Sequence, residues 1–294
     1  MYSVKKNPKI DFLNEAKLGL VSVIIPTFNR SRLLQLAINS VLNQSYKQIE
    51  LIIINDGSTD DTKQVLNSYK NQLKIIHQEN QGVSKARNAG LEVSSGEWIA
   101  FLDSDDTWLE RKIEEQIKKL KDSDLFINHT QEIWIRNGVK VNPKQKHFKF
   151  DGSNFEDNLD ICRISPSSVI IHRQVFEKLG GFDINLPACE DYDLWLRVSN
   201  LFEVQYLDKQ FVCKTGGHED QLSRKYFGMD RFRIVALAKM ILNEDLTDDR
   251  KLNILNEIKK KLKVYLKGCQ KRNKTKEIEF FKDLLEKCEK KLKV

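Results

Sequence analysis

Trp98-Ile99-Ala100-Phe101-Leu102-Asp103-Ser104-Asp105-Asp106 is an apolar run that closes on a Ser and three acids. A short apolar run without polar alternation predicts a strand buried on both faces. Side chains two apart on extended backbone share a side. Asp103 and Asp105, at the mouth of that strand, can therefore address one hard divalent cation, whose shell water and substrate phosphate would complete. Acids also suit a helix start, with Asp106 or Thr107 capping a helix from Trp108 and the others favouring its dipole. Capping accounts for one acid well and three poorly. An EF-hand loop opened at Asp103 would put Glu114 at its twelfth position, but Trp108 then stands where that loop needs Gly.

Outward from this stretch, short apolar runs alternate with helical periodicity from Val21 to about Asn128. Val21–Ile25, stopped at Pro26, Glu50–Ile54, Leu73–His77 and Glu97–Leu102 predict strands. Leu33, Leu34, Ala37, Ile38, Val41 and Leu42 mark a helix, and others are expected over Asp60–Tyr69, Val83–Val93 and Trp108–Lys121. Alternation at this pace means βαβ units, a mainly parallel sheet and helices on both faces, with ligands at the carboxyl ends of the strands. Beyond it, Ile127–Arg136 and Val169–His172 predict strands, Asp191–Ser199 a short helix, and Phe202–Leu207 with Phe211–Lys214 a hairpin. From Met229 only helices are expected, with apolar seams at Ile254, Ile258, Leu262 and Leu266, then at Ile278, Phe281, Leu285, Cys288 and Leu292. The division expected is an N-terminal extension (1–20), an α/β domain (21–228, its halves meeting near 128) and a basic helical extension (229–294).

The strand ends carry the polar motifs. Pro26-Thr27-Phe28-Asn29-Arg30 and Asp56-Gly57-Ser58-Thr59-Asp60 each follow a strand and open a helix, so free backbone N–H groups converge there and attract phosphate. Asp56 can accept from a nucleobase imide N–H, although plain turn chemistry with Ser58 or Thr59 as caps explains either segment alone. In the run Asn80–Gly90, Lys85 and Arg87 fall early on a helix, and Arg87 offers a planar fork to a diphosphate. Glu190 and Asp191 precede an amphipathic helix. They are caps unless the fold sets one of them opposite Asp103 and Asp105, in which case it is a candidate general base. The Gly-hinged run Lys214–Arg224 could be a lid carrying His218 or Arg224 toward phosphate or metal.

Taken in order, these segments closely resemble the family 2 glycosyltransferases, the inverting GT-A enzymes that use nucleotide-diphosphate sugars. The resemblance runs from Val21 to about Phe211 and rests on VSVIIPTFNR (21–30), IINDGSTDDT (53–62), NQGVSKARNAG (80–90), SGEWIAFLDSDD (95–106) and GGFD…CEDYDLWLR (180–183, 189–197). It implies a GT-A, Rossmann-like α/β fold and sugar transfer from a nucleoside diphosphate, UDP favoured, to an acceptor hydroxyl with inversion at C1. Asp191 matches the catalytic base and Asp56 the base-contacting position. Asp105, with Asp103, would hold Mn2+ or Mg2+, with His218 a further possible ligand. Pro26, Thr27, Asn29, Arg30, Asp56, Ser58, Lys85, Arg87, Asp103 and Ser104 would seat the donor, with Glu190 and Trp108 on the acceptor side. The implied acceptor is a saccharide or lipid-linked sugar, in polysaccharide or glycolipid synthesis. A sugar nucleotidyltransferase would need a Gly-rich triphosphate loop, and PTFNRSR contains no Gly. A non-catalytic nucleotide- or saccharide-binding module is the other alternative, against which the intact acids count.

Composition narrows the setting. The 294 residues carry 49 Lys and Arg against 42 Asp and Glu, yet 16 basic and 9 acidic residues between Asp245 and Val294 account for the whole surplus of +7. The formally neutral remainder argues against a nucleic-acid binder. The basic tail suggests a helical hairpin, a homodimer contact or a foot on an anionic membrane face. No run spans a bilayer, no signal peptide is expected, and the 5 scattered Cys fit a reducing cytosol, with the inner membrane face as a possible station.

Overall fold

The computed structural model describes residues 2–7, 9–149, 155–217, 225–226 and 228–292. The chain order is β1 (Lys17–Thr27), α1 (Ser31–Leu42), β2 (Ile49–Asp56), α2 (Thr62–Ser68), β3 (Lys74–Gln78), α3 (Val83–Val93), β4 (Gly96–Phe101), β5 (Thr107–Trp108) and α4 (Lys112–Ser123). There follow β6 (Ile127–Arg136), β7 (Val139–Val141), β8 (Val169–His172), α5 (Arg173–Leu179), α6 (Glu190–Leu201) and β9 (Gln205–Gly216), then α7 (Asp230–Asn243), α8 (Asp248–Lys271) and α9 (Thr275–Leu292).

Among the described residues nine strands form one sheet in the order β3-β2-β1-β4-β8-β6-β9-β5, with β7 on β6. The first four of these are mutually parallel; β8 runs antiparallel to both β4 and β6. Alternation along β1 shows why both faces are covered. Ile24 packs beneath α3, α5 and α6 with Ile52, Phe101, Leu91, Phe176 and Trp195, while Val23 and Ile25 face α1 and α4 with Leu34, Ile38, Ile113 and Ile117. Burying each such side chain is worth about 1.5–3 kcal/mol. This is the GT-A architecture expected: a mainly parallel, helix-flanked sheet followed by helices.

Three local expectations are corrected. β1 starts at Lys17 and runs through Pro26, which pairs with Ile54. The helix expected from Trp108 starts at Lys112, because Thr107 and Trp108 are drawn into a strand pair with Cys213 and Val212. The expected hairpin is one strand, β9, whose pairing with β6 shifts register around Gln131 and so absorbs the irregular pattern.

The C-terminal helices pack on α6. Helix α7 is buried nearly all round, from Phe232 through Ile241, and Tyr192, Leu196, Ile254, Ile258, Leu262 and Phe281 close over it. A buried polar knot fixes the angle: Lys239 bonds Asp183, Asp193 (2.7 Å) and Asn7 (2.7 Å), and Arg197 joins Asp193 at 3.1 Å. Asn7, in turn, donates to Asp193 at 3.0 Å and Ile10 is buried, so the N-terminal segment straps the helices to the sheet. Among the described residues no helix is long and apolar enough to cross a membrane.

Candidate active site

The donor edge is built by turns that lock one another. Asn29 sits at φ 50°, a left-handed position Asn tolerates, and its Oδ1 accepts from the Thr59 N–H at 2.8 Å. Its own N–H donates to Ser58 Oγ at 3.0 Å, and the Ser58 N–H donates to Asn55 Oδ1 at 3.0 Å. The ends of β1 and β2 therefore move as one body. Asp56 is buried and accepts from Gln78 Nε2 (2.7 Å), Gln81 N–H (2.8 Å) and Gly82 N–H (2.9 Å). It thereby shapes the loop that delivers α3. Pro26 and Thr27 are buried at the end of β1, and Lys85 reaches Gln81 at 2.6 Å on the exposed side of α3. Two buried hydroxyls at this edge, Thr27 Oγ1 and Ser84 Oγ, have no hydrogen-bond partner among the described residues. Orphaned polar atoms of this kind mark room for a ligand. Nothing in the local sequence singles out Ser84.

At the mouth of β4, Asp105 pairs with Arg30 at 3.0 Å and Asp103 with Arg87 at 2.7 Å. Ser104 is buried between them. Asp106 points the other way, accepting from Ser167 Oγ (2.7 Å) and the Thr215 N–H (2.9 Å). Its two oxygens thus serve structure, tying the turn to Ser167 and β9, and burial with the nearby Asp105 pushes the carboxyl well up. The capping expectation fails for the same reason: Asp106 ties β5 to β9.

Arg87 is the centre of the site. One terminal nitrogen holds Asp103 and the other holds Glu190 Oε1 at 2.8 Å, while its carbon lies 5.0 Å from the Phe182 ring centroid. The two acids hold the guanidinium charged against full burial. Burial and the adjoining Asp191 push the Glu190 carboxyl up, and Arg87 offsets part of this. Glu190 is thus consumed by the brace. The residue after it, Asp191, is half-buried in the first turn of α6; its Oδ1 accepts from the Tyr192 N–H at 2.7 Å and its Oδ2 meets Cys162 Sγ at 3.5 Å. Cys189, at φ 63°, makes the sharp entry that aims this turn. Of the acceptor-side pair, Trp108 is corrected: it is buried, its indole N–H donates to the Ser167 carbonyl at 2.8 Å, and it is a packing residue. His218 and Arg224 lie outside the described residues.

Among the described residues no group of three or more His, Cys, Asp or Glu forms a metal cage. Asp103 and Asp105 are nevertheless hard oxygen donors on one strand mouth, 29% and 18% exposed, a set that suits Mg2+ or Mn2+ completed by phosphate and water. A cavity of about 350 Å3 lies between the start of α7 and the end of α8, lined by Met229, Arg233, Tyr265 and Arg272 among others. The carboxylates, not that cavity, locate the chemistry.

The glycosyl transferase family 2 model matches residues 22–180, more than half of the chain, from within β1 to just past the end of α5. The chain belongs to family 2. Similar relatives include an uncharacterized glycosyltransferase of Rickettsia bellii, 35% identical over 70% of this chain but only 31% of its own length. Two Escherichia coli proteins named UDP-Glc:alpha-D-GlcNAc-diphosphoundecaprenol beta-1,3-glucosyltransferase are also similar: WfaP, 35% identical over 62% of this chain and 70% of its own, and WfgD, 32% over 73% and 81%. Among solved structures, Staphylococcus aureus TarS 1–349 in complex with UDP-GlcNAc shares the fold with a TM-score of 0.69 at 22% identity, over 83% of this chain and 73% of that one. A Pyrobaculum calidifontis mannosyltransferase in complex with GDP-Man and Mn2+ does so at 0.58 and 16%, over 92% and 78%. The family 2 match ends at Gly180, before α6, so the Arg87–Glu190 brace joins the matched span to the segment beyond it.

Proposed function

We propose that this chain transfers a sugar from a nucleoside-diphosphate sugar, a UDP-sugar first among them, to a hydroxyl of a saccharide or lipid-linked acceptor, with inversion at C1. The observation that carries the proposal is the two-sided contact of Arg87 with Asp103 and Glu190, which brings Asp191 to the acids at the mouth of β4. The WfaP and WfgD names supply the donor and acceptor classes, and the UDP-GlcNAc complex of a protein with this fold agrees with them.

In this mechanism Asp191 accepts the proton of the attacking hydroxyl, a role worth about 10²–10⁴ in rate. Attack comes from the face opposite the diphosphate, so a single displacement needs no covalent enzyme intermediate. Thr27, Asn29 and Ser58 seat the nucleoside. Asp56 has two oxygens with about four lone-pair sites; with three spent on its own loop, one remains for an imide N–H. Asp105 and Asp103 would hold Mn2+ or Mg2+, which supplies Lewis-acid neutralisation of the leaving diphosphate. A lipid-linked acceptor would be met at an anionic membrane face, and the exposed row Lys263, Lys267 and Lys271 on α8 is the surface proposed to meet it.

The test is a panel of nucleotide-sugars with Mn2+, scored by thermal shift and nucleoside diphosphate release, on wild type and Asp191→Asn. Retained donor binding with transfer reduced at least a hundredfold is expected. Loss of donor binding in the variant would remove Asp191 from the base role, and release of pyrophosphate would identify a nucleotidyltransferase instead.

A further inference from the structure

Every acid named so far at the strand mouth has its donors assigned, and both arginines are engaged. Arg30 is held by Asp105, and Arg87 by Asp103 and Glu190. Lys214 differs. It lies on β9 opposite Trp134 of β6, and the N–H of the next residue, Thr215, donates to Asp106 at 2.9 Å. The backbone that carries Lys214 is thus pinned to the turn that carries Asp103 and Asp105. Four carboxylates surround the side chain within electrostatic reach: Glu132, Asp106, Asp103 and Asp191. Together they hold the ammonium charged, above the ordinary lysine value, although burial alone would lower it.

Charge balance does not require Lys214 to serve Glu132, which already has Lys149 at 3.1 Å, with hydrogen bonds from Ser165 and from Trp134 Nε1 at 2.8 Å. Among the described residues the Lys214 ammonium has neither an ion-pair partner within 4 Å nor a hydrogen bond. An ammonium whose three donors no described residue takes, within electrostatic reach of both the donor-side Asp103 and the acceptor-side Asp191, is matched by a phosphoryl oxyanion. That oxyanion belongs to a donor diphosphate or to a phosphate-linked acceptor, and the pinning of β9 to the Asp103–Asp106 turn favours the donor.

We propose that Lys214 is a cation that grips the β-phosphate of the nucleotide-sugar donor, an assignment that rests on the function proposed above. The experiment compares wild type, Lys214→Met and Lys214→Arg as full chains, titrated calorimetrically with UDP, UMP and a short prenyl diphosphate in the presence of Mn2+. Loss of the contact should weaken UDP by about 10–100-fold in Lys214→Met while UMP changes by less than about twofold, and Lys214→Arg should recover most of the difference. Equal weakening of UDP and UMP, or no change in either, overturns the assignment, as does a loss confined to the prenyl diphosphate. Should Lys214→Met fail to fold, Lys214→Gln decides, since it keeps a polar side chain but removes the charge: an unchanged UDP-to-UMP ratio in it counts against the contact. Absence of UDP and UMP binding in the wild type would instead overturn the UDP-donor proposal itself, taking this assignment with it.

Discussion

Arg87 reaches Glu190 at 2.8 Å across the sheet mouth, and that contact adds a buried ion pair to the apolar packing of α6 on β4. Removing one member of a buried ion pair typically costs about 3–5 kcal/mol, because a charge is left without compensation. Here two acids would lose the same partner. Arg87→Met should therefore lower the unfolding free energy read from urea titration by an amount in that range, and nucleotide binding should fall with it. Arg87→Lys can meet only one acid at a time and should recover no more than part of the loss. A variant as stable as wild type would show the brace to be dispensable.

Asp105, 18% exposed against 29% for Asp103, is both the Arg30 partner and a candidate cation ligand. A partly exposed pair contributes only about 1 kcal/mol or less. Asp105→Ala should leave the melting temperature within a few degrees of wild type while abolishing the Mn2+-dependent component of UDP binding. Identical calorimetric titrations with and without Mn2+ in the wild type would refute the chelate.

Much of this arrangement was readable beforehand where local pattern and final environment agree. The strand Val21–Ile25 is apolar on both faces because both faces are covered, and α3 over Val83–Val93 has the expected bounds. The failures are tertiary. Trp108 looks like a helix start until β9 arrives to pair with it. A register shift in β9 mimics a turn. Arg87 reads as a free fork for diphosphate, whereas its two acids come from positions 16 and 103 residues downstream, which no local window contains. Lys214 only opens the Gly-hinged run in which His218 and Arg224 drew the reading, and the four acids around it come from distant positions.

Acid pH should expose the buried pair of Glu132 and Lys149. Burial raises the Glu132 carboxyl, but Lys149, Lys214 and the hydrogen bonds from Ser165 and Trp134 outweigh it and bring it down from 4.5 to about 2. Lys149 is also lowered, since burial exceeds what Glu132 returns, so the pair's net gain is smaller than the carboxyl alone implies. A depressed carboxyl contributes stability that is full above its unfolded value and is lost as pH falls toward its folded one. The stability of wild type over Glu132→Gln should accordingly shrink, by at most about 3 kcal/mol, between pH 4.5 and about 2. A difference independent of pH across that window would contradict the assignment.

The lysine row of α8 makes a surface prediction. Lys263, Lys267 and Lys271 are exposed at i,i+4 steps beside Val264, which is 68% exposed. Each lysine near an anionic leaflet is worth about 1 kcal/mol, so Lys263→Glu, Lys267→Glu and Lys271→Glu combined should weaken binding to phosphatidylserine vesicles by roughly 10²-fold or more. Transfer to a soluble acceptor analogue should be unaffected. Equal sedimentation of wild type and variant with such vesicles would leave no membrane role for this face.

Lys239 tests whether the C-terminal helices are part of the folding unit. Its ammonium is buried on α7 and compensates Asp183 and, with Arg197, Asp193, whose carboxyl is held low by Arg197 and then Lys239 against burial. Lys239→Met removes the charge at nearly constant volume and leaves Asp183 with no cation within 4 Å among the described residues. A loss of about 3–5 kcal/mol is expected from that alone, and Asp183→Asn added to it should restore a part, because the orphaned charge is then gone. The pairing also predicts one cooperative transition: α7 contributes Phe232 to Ile241 to the same core as Tyr192 and Leu196 of α6, so nucleotide-site and tail probes should unfold together. Two separable transitions in wild type would mean that the basic helices are a detachable module and that Lys239 is only a surface clasp between two bodies.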